Sequence, residues 1–138
     1  MDRWAALHPD EQVVAQIGES DYRPNHVKWH RFLNPSDHED LLTRARCVVG
    51  HAGMGTILGA MDHRKPLVVM PRVAQYGEHR NDHQVATVRK LMGRGMFCLA
   101  ENEIELFEHL LAPALPQPEN LETSDNLLNS VQRYLQIA

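Results

Sequence analysis

The sequence has only two cysteines, no excess of positive charge and no apolar stretch long enough to cross a bilayer. Each shortage removes a class of protein. Cys47 and Cys98 both sit inside strand-like apolar runs, without the close Cys or His neighbours of a zinc knuckle, and read as reduced core residues. Lys and Arg number 14 against 18 Asp and Glu, a formal charge of −4, and no long basic run interrupts that balance; nucleic acid is a poor ligand for such a chain. The most apolar stretch, Cys47 to Met61, contains His51 and falls short of the roughly 20 apolar residues that a spanning helix needs. No apolar h-region precedes Val13, so no secretory signal is read and a cytoplasmic location is expected. Repeats and low-complexity segments are also missing.

What remains is an ordinary globular balance. The chain has 138 residues, 43% of them hydrophobic and 23% charged, enough for one compact domain. Trp4, Ala5 and Leu7 predict the end of an amphipathic helix before His8-Pro9-Asp10, and Val13 to Ile17 a short strand. Gly18 to Asn25 reads as a loop and His26 to Leu33 as a second strand, with Trp29 and Phe32 as core and edge packing. Ser36 with Glu39 matches a capping box for a helix ending near Arg46. Cys47 to Gly50 is the next strand, His51 to Gly55 a glycine-rich loop, and Thr56 to Met61 a helix. Pro66 to Pro71, short and continuously apolar, has the character of a strand covered on both faces. A loop over Arg72 to Arg80 precedes a helix from near Asn81, then a strand at Met96 to Leu99 and a helix at Ile104 to Leu111. Pro113, Pro116 and Pro118 mark a linker before a last helix through Leu127, Leu128, Val131 and Leu135. The expected domain is thus 1–112, with 113–138 as linker and packing helix. Repeated strand and helix predicts an α/β, Rossmann-like parallel sheet with helices on both faces, where ligands bind outside the carboxyl ends of the strands.

Two segments carry chemistry. In Val48 to Thr56 a strand runs through small residues straight into a helix. Gly53 and Gly55 permit positive φ and close approach, and the amides of Gly55, Thr56 and Ile57 at the helix start suit an anion such as a diphosphate. A tight turn with glycines chosen for packing is the alternative. The loop is no Walker loop, lacking Lys-Ser/Thr, and the spacing of Gly53, Gly55 and Gly59 misses the dinucleotide fingerprint, which disfavours a nicotinamide oxidoreductase. The second segment, Tyr76 to Gln84, is a polar cluster after a buried strand. Asn81 and Gln84 also satisfy a capping box, Asp82 suits the helix macrodipole, and His79 with His83 lie one turn apart, a pair too common to argue for zinc. Arg72 is placed to reach a phosphate or to pair with Glu78. The chain has nine histidines, and the scattered His8, His26, His30, His38 and His109 read as surface residues.

The pair His-Ala-Gly-Met-Gly-Thr (51–56) and Gly-Glu-His-Arg-Asn-Asp-His-Gln (77–84), joined by Lys65 to Arg72, resembles the C-terminal domain of glycosyltransferase family 28. More closely it resembles the small donor-binding subunits of two-part sugar transferases, the dolichol-linked GlcNAc transferase and exopolysaccharide glucuronosyltransferase types. Residues 3 to about 100 are covered, Trp4-Ala5-Ala6 and Ala15-Gln16-Ile17-Gly18 included.

The resemblance implies the C-terminal half of a GT-B enzyme, holding a UDP-sugar while a membrane-associated subunit presents a lipid-linked acceptor. Carried over by position, Gly53, Met54, Gly55 and Thr56 lie against the diphosphate, Phe32 and Leu33 flank the uracil, and Asn81, Asp82 and Gln84 contact the sugar, with Arg72 and His83 in the same substrate-binding set. His51 and Glu78 are the catalytic candidates. No metal is expected, because helix-end amides supply the charge stabilisation. Two departures stand out. Relatives begin with a strand and a Gly-Thr loop, so a missing first strand is expected here, and Gly59 replaces an acidic ribose ligand. An unpaired edge at Val13-Val14-Ala15 then predicts a homodimer in isolation and a heteromer with the acceptor subunit in the cell. The rival expectation is a non-catalytic nucleotide-sugar-binding module acting by association.

Overall fold

The computed structural model describes residues 1–51, 53–70 and 97–115. The chain divides into two compact units, Met1–Arg44 and Ala45–Ala138.

The first unit contains α1 (Asp2–Leu7), β1 (Val14–Gln16), β2 (Lys28–His30) and α2 (Pro35–Arg44). β1 and β2 pair in parallel, Ala15 opposite Trp29. Parallel strands need a crossover, usually a helix. Here the connection is irregular, and Asp2 holds it. The Asp2 carboxylate accepts the Tyr22 hydroxyl at 2.7 Å, the His26 amide at 2.7 Å and the Asn25 amide at 3.1 Å. These donors, the Tyr22 hydroxyl foremost, pull the Asp2 pKa from 3.8 to about 2, and the same bond raises that of Tyr22. Trp4, Ala5, Val27 and Leu42 form the buried apolar set, and His8 stacks on Trp4 with ring centroids 3.7 Å apart.

α2 is capped two residues earlier than the Ser36–Glu39 spacing predicts. Asn34 Oδ1 accepts the Asp37 amide at 2.8 Å and Asn34 Nδ2 donates to the Asp37 carboxylate at 2.9 Å. That arrangement puts Pro35 at the first helical position, where its fixed φ and missing N–H cost nothing. Ser36 therefore lies inside the helix.

The second unit contains β3 (Val48–Gly50), α3 (Met54–Asp62), β4 (Leu67–Val69), β5 (Cys98–Leu99) and α4 (Glu103–Leu111). Its sheet has the order β3-β4-β5 with both pairs parallel. Leu67 and Val69 join Ile57 and Ala60 of α3 and Phe97 in one buried cluster. Val68 points to the other face of the strand and is also buried, and α4 packs against β4 with Leu106 and Leu110 buried. β4 is thus covered on both faces, as its unbroken apolar run predicts. The parallel order and the alternating helices are those of an α/β, Rossmann-like domain.

Several expectations need correction. Cys47 and Cys98 are free, as read, but half-buried instead of core. Phe32 is 62% exposed and Trp29 half-buried beneath the Arg23 guanidinium, 5.1 Å from the ring centroid, so neither is a core residue. His8 and His109 are half-buried and sit against the backbone carbonyls of Trp4 and Leu99, each at 3.0 Å. Their rings lie against the backbone at the edge of the packed layer instead of standing free at the surface. The expected helix from Asn81 and the C-terminal helix lie outside the described residues.

Candidate functional site

Everything that places the glycine-rich loop follows from where β3 stops. Met70 donates to the Gly50 carbonyl and Ala100 to the Val69 carbonyl, each at 2.9 Å, so the parallel ladder is complete to its carboxyl edge. At that edge the chain leaves Gly50, turns at His51, and enters α3 with Gly53 as N-cap. The Gly53 amide donates to the His51 carbonyl at 2.7 Å, and the first helical bond runs from the Ile57 amide to the Gly53 carbonyl at 3.1 Å.

The available amides are therefore shifted by one residue from the expected set. Ile57 is already bonded; Met54, Gly55 and Thr56 are the residues whose N–H groups have no carbonyl within the helix. Among the described residues no side chain caps this end, and its first turn contains no acidic residue. The positive end of the helix dipole lies at this sheet edge, where negative charge is stabilised.

The glycines act differently from the expectation as well. Gly53 is extended, at φ −78° and ψ 135°, and Gly55 is helical, so neither uses positive φ. Gly53 is needed for space: a Cβ there would stand 2.8 Å from Nε2 and 3.2 Å from Cδ2 of His51. The imidazole of His51 thus lies directly over the N-cap of α3. Thr56 packs its methyl over Gly50, 2.7 Å from where a Cβ would stand. Gly55 is exposed and a Cβ there meets nothing within 4 Å. His51, Gly53, Met54, Gly55 and Thr56 are accordingly brought together at one sheet edge.

Phe32 and Leu33 belong to the first unit, just past the carboxyl end of β2. The exposed Phe32 ring lies 4.0 Å, at Cε1, from the Cβ position of Gly18, which adopts φ +57°. The Leu33 amide donates to Gln16 Oε1 at 2.9 Å. Sequence reasoning passed over Gln16, because its partner is set by the register of β1 on β2 and by nothing local. Arg72, Glu78, Asn81, Asp82, His83 and Gln84 lie outside the described residues.

Comparison with known proteins supplies the class of this domain. The family described as glycosyltransferase family 28 C-terminal domain matches residues 1–136. A search among curated proteins finds no significant match. The parallel sheet with its helices and a match over nearly the whole chain lead to one assignment: the chain belongs to glycosyltransferase family 28, as its C-terminal domain, a Rossmann-like half of the GT-B fold.

Proposed function

We propose that this glycosyltransferase domain binds a UDP-sugar and, with a membrane-associated partner subunit, transfers the sugar with inversion onto a lipid-linked acceptor. The observation that supports the reading is the start of α3, where Met54, Gly55 and Thr56 offer amides at the carboxyl edge of β3 with, among the described residues, no capping side chain and no first-turn carboxylate. A diphosphate held there gains fixed dipoles as the bond between the anomeric carbon and the diphosphate oxygen breaks and negative charge moves onto UDP. The acceptor hydroxyl attacks that carbon from the opposite face, and its proton passes to a base. Among the described residues, His51, whose ring lies over Gly53, is the catalytic candidate beside the helix start. Glu78, Asn81, Asp82, His83 and Gln84 are assigned to the reacting centre and the sugar by resemblance, Arg72 to a phosphate, and Phe32 with Leu33 to the uracil.

The small-subunit assignment follows the same resemblance, and it makes the partner the source of the acceptor. Among the described residues no helix is long and apolar enough to cross a membrane. The deciding experiment is saturation-transfer NMR of the chain against a panel of UDP-sugars. At least one is expected to bind below millimolar concentration; if none does, the reading fails.

A further inference from the structure

The first unit ties down the chain on both sides of an exposed aromatic ring, through the end of β1 and the turn that follows it. We propose that Gln16 is a positioning residue for the nucleobase, holding the Phe32–Leu33 segment in the conformation that presents the Phe32 ring. The inference rests on the reading that Phe32 and Leu33 flank the base.

An exposed phenylalanine past the end of a three-residue strand has no core to orient it. Here its two chain neighbours are tied down instead. Before it, the Arg31 carbonyl accepts the Gly18 amide at 2.9 Å and the Arg31 guanidinium returns a bond to the Gly18 carbonyl at 3.2 Å. After it, the Leu33 amide donates to Gln16 Oε1 at 2.9 Å. Because the donor is an N–H, only the carboxamide oxygen can take that place, which fixes the orientation of the Gln16 side chain. Gly18 completes the arrangement. Its left-handed φ of +57° turns β1 away at the ring, where the Phe32 edge approaches its Cβ position to 4.0 Å.

Gln16 itself is exposed, so burial does not account for its orientation. Its identified bond is the one to Leu33. A ring held in place before the ligand arrives is not ordered at the expense of binding, and loosening it weakens affinity without removing any ligand contact.

The test uses the full chain, calorimetry with UDP, and inorganic pyrophosphate as a probe that has the phosphates and no base. Gln16→Met keeps the side-chain length and removes the acceptor; Gln16→Glu keeps an acceptor. Loss of one such hydrogen bond predicts a rise of about five-fold in the UDP Kd for Gln16→Met, an unchanged pyrophosphate Kd, and a near-normal UDP Kd for Gln16→Glu. Gly18→Ala, which strains the turn beside the ring, is expected to act like Gln16→Met. Unchanged UDP binding in Gln16→Met overturns the proposal, as does an equal loss of UDP and pyrophosphate affinity or a failure of Gln16→Glu to restore binding. Phe32→Ala separates the two levels of the argument. If it leaves UDP binding unchanged, the base reading itself falls; if it weakens UDP while Gln16→Met does not, only the positioning role falls.

Discussion

Two helices of the second unit leave the same parallel sheet at its carboxyl edge, and their first turns are built in opposite ways. α4 follows β5 and closes its own start: Asn102 accepts the Glu105 amide at 3.0 Å, Asn102 Nδ2 donates to Glu105 at 2.7 Å, and Glu105 takes the Glu101 amide at 2.8 Å. Glu103 and Glu105 add negative charge where the dipole is positive. α3 follows β3 and, among the described residues, has none of this: its N-cap is a glycine with no side chain to accept an amide, and its first turn has no acid. One start is satisfied by its own side chains, and the other has no such cap among the described residues. On the proposed reading, the difference separates a self-capped helix end from one that takes a ligand.

The comparison is broken most severely at Gly53. Gly53→Val is expected to weaken UDP binding more than tenfold, on the order of the loss of an anion site at a helix start, while the chain stays folded. Calorimetry with UDP and a thermal melt on the same sample check both halves. The structure sharpens the cause, since the new side chain runs into the His51 ring. If displacement of His51 is the fault, His51→Ala added to Gly53→Val restores UDP affinity; if the branched side chain blocks the diphosphate, it does not.

Giving α3 the kind of charge that α4 already has tests the idea with opposite signs. Gly55→Asp meets no steric obstacle, and it places a carboxylate in the first turn. UDP affinity is expected to fall about tenfold through like-charge repulsion, whereas stability rises by about 0.3–1 kcal/mol from the dipole. Parallel falls in both quantities would show that the residue matters for folding and not for the anion. The reverse experiment is Asn102→Ala, expected to cost about 1 kcal/mol in chemical denaturation and to leave UDP binding unchanged.

A further contrast concerns charge supplied by metal or by amides. If the α3 start neutralises the diphosphate, binding and transfer persist in EDTA; activity lost to the chelator and recovered with manganese or magnesium would reassign that role. The smallest effect belongs to α1, whose first-turn acid Asp2 is engaged by the crossover loop. Its pKa is depressed to about 2 from 3.8, so its contribution is present in full above pH 3.8 and is lost as the pH falls toward 2. An acid titration of unfolding should show this slope, and Asp2→Asn should flatten it.

Much of the fold was legible in the residues because its signals are local. The apolar run Leu67-Val68-Val69 announces a strand covered on both faces, and the turn residues around it place the helices. The α2 cap shows how local signals mislead. Two frames overlap, Asn34 with Asp37 and Ser36 with Glu39, and each has the right spacing. Pro35 decides between them, since a proline belongs at the first helical position and the Ser36 frame would leave it outside the helix. At the candidate site the expected positive φ is not what the glycines use: Gly53 is extended, and a Cβ there would run into the His51 ring.

By itself, then, the sequence determined the parallel α/β character, the strand-to-helix junction at His51 to Thr56 and, through its motifs, the family. These depend on the side-chain period of single elements and on the short spacing of glycines. The tertiary structure alone decided what those elements do to one another. Asp2 clasps a loop more than twenty residues away, Gln16 takes the Leu33 amide across a parallel register, and His51 folds back over Gly53. The physical reason is common to all three: a hydrogen bond or a van der Waals contact acts over a few ångströms of space, and which atoms come that close depends on strand register and backbone direction.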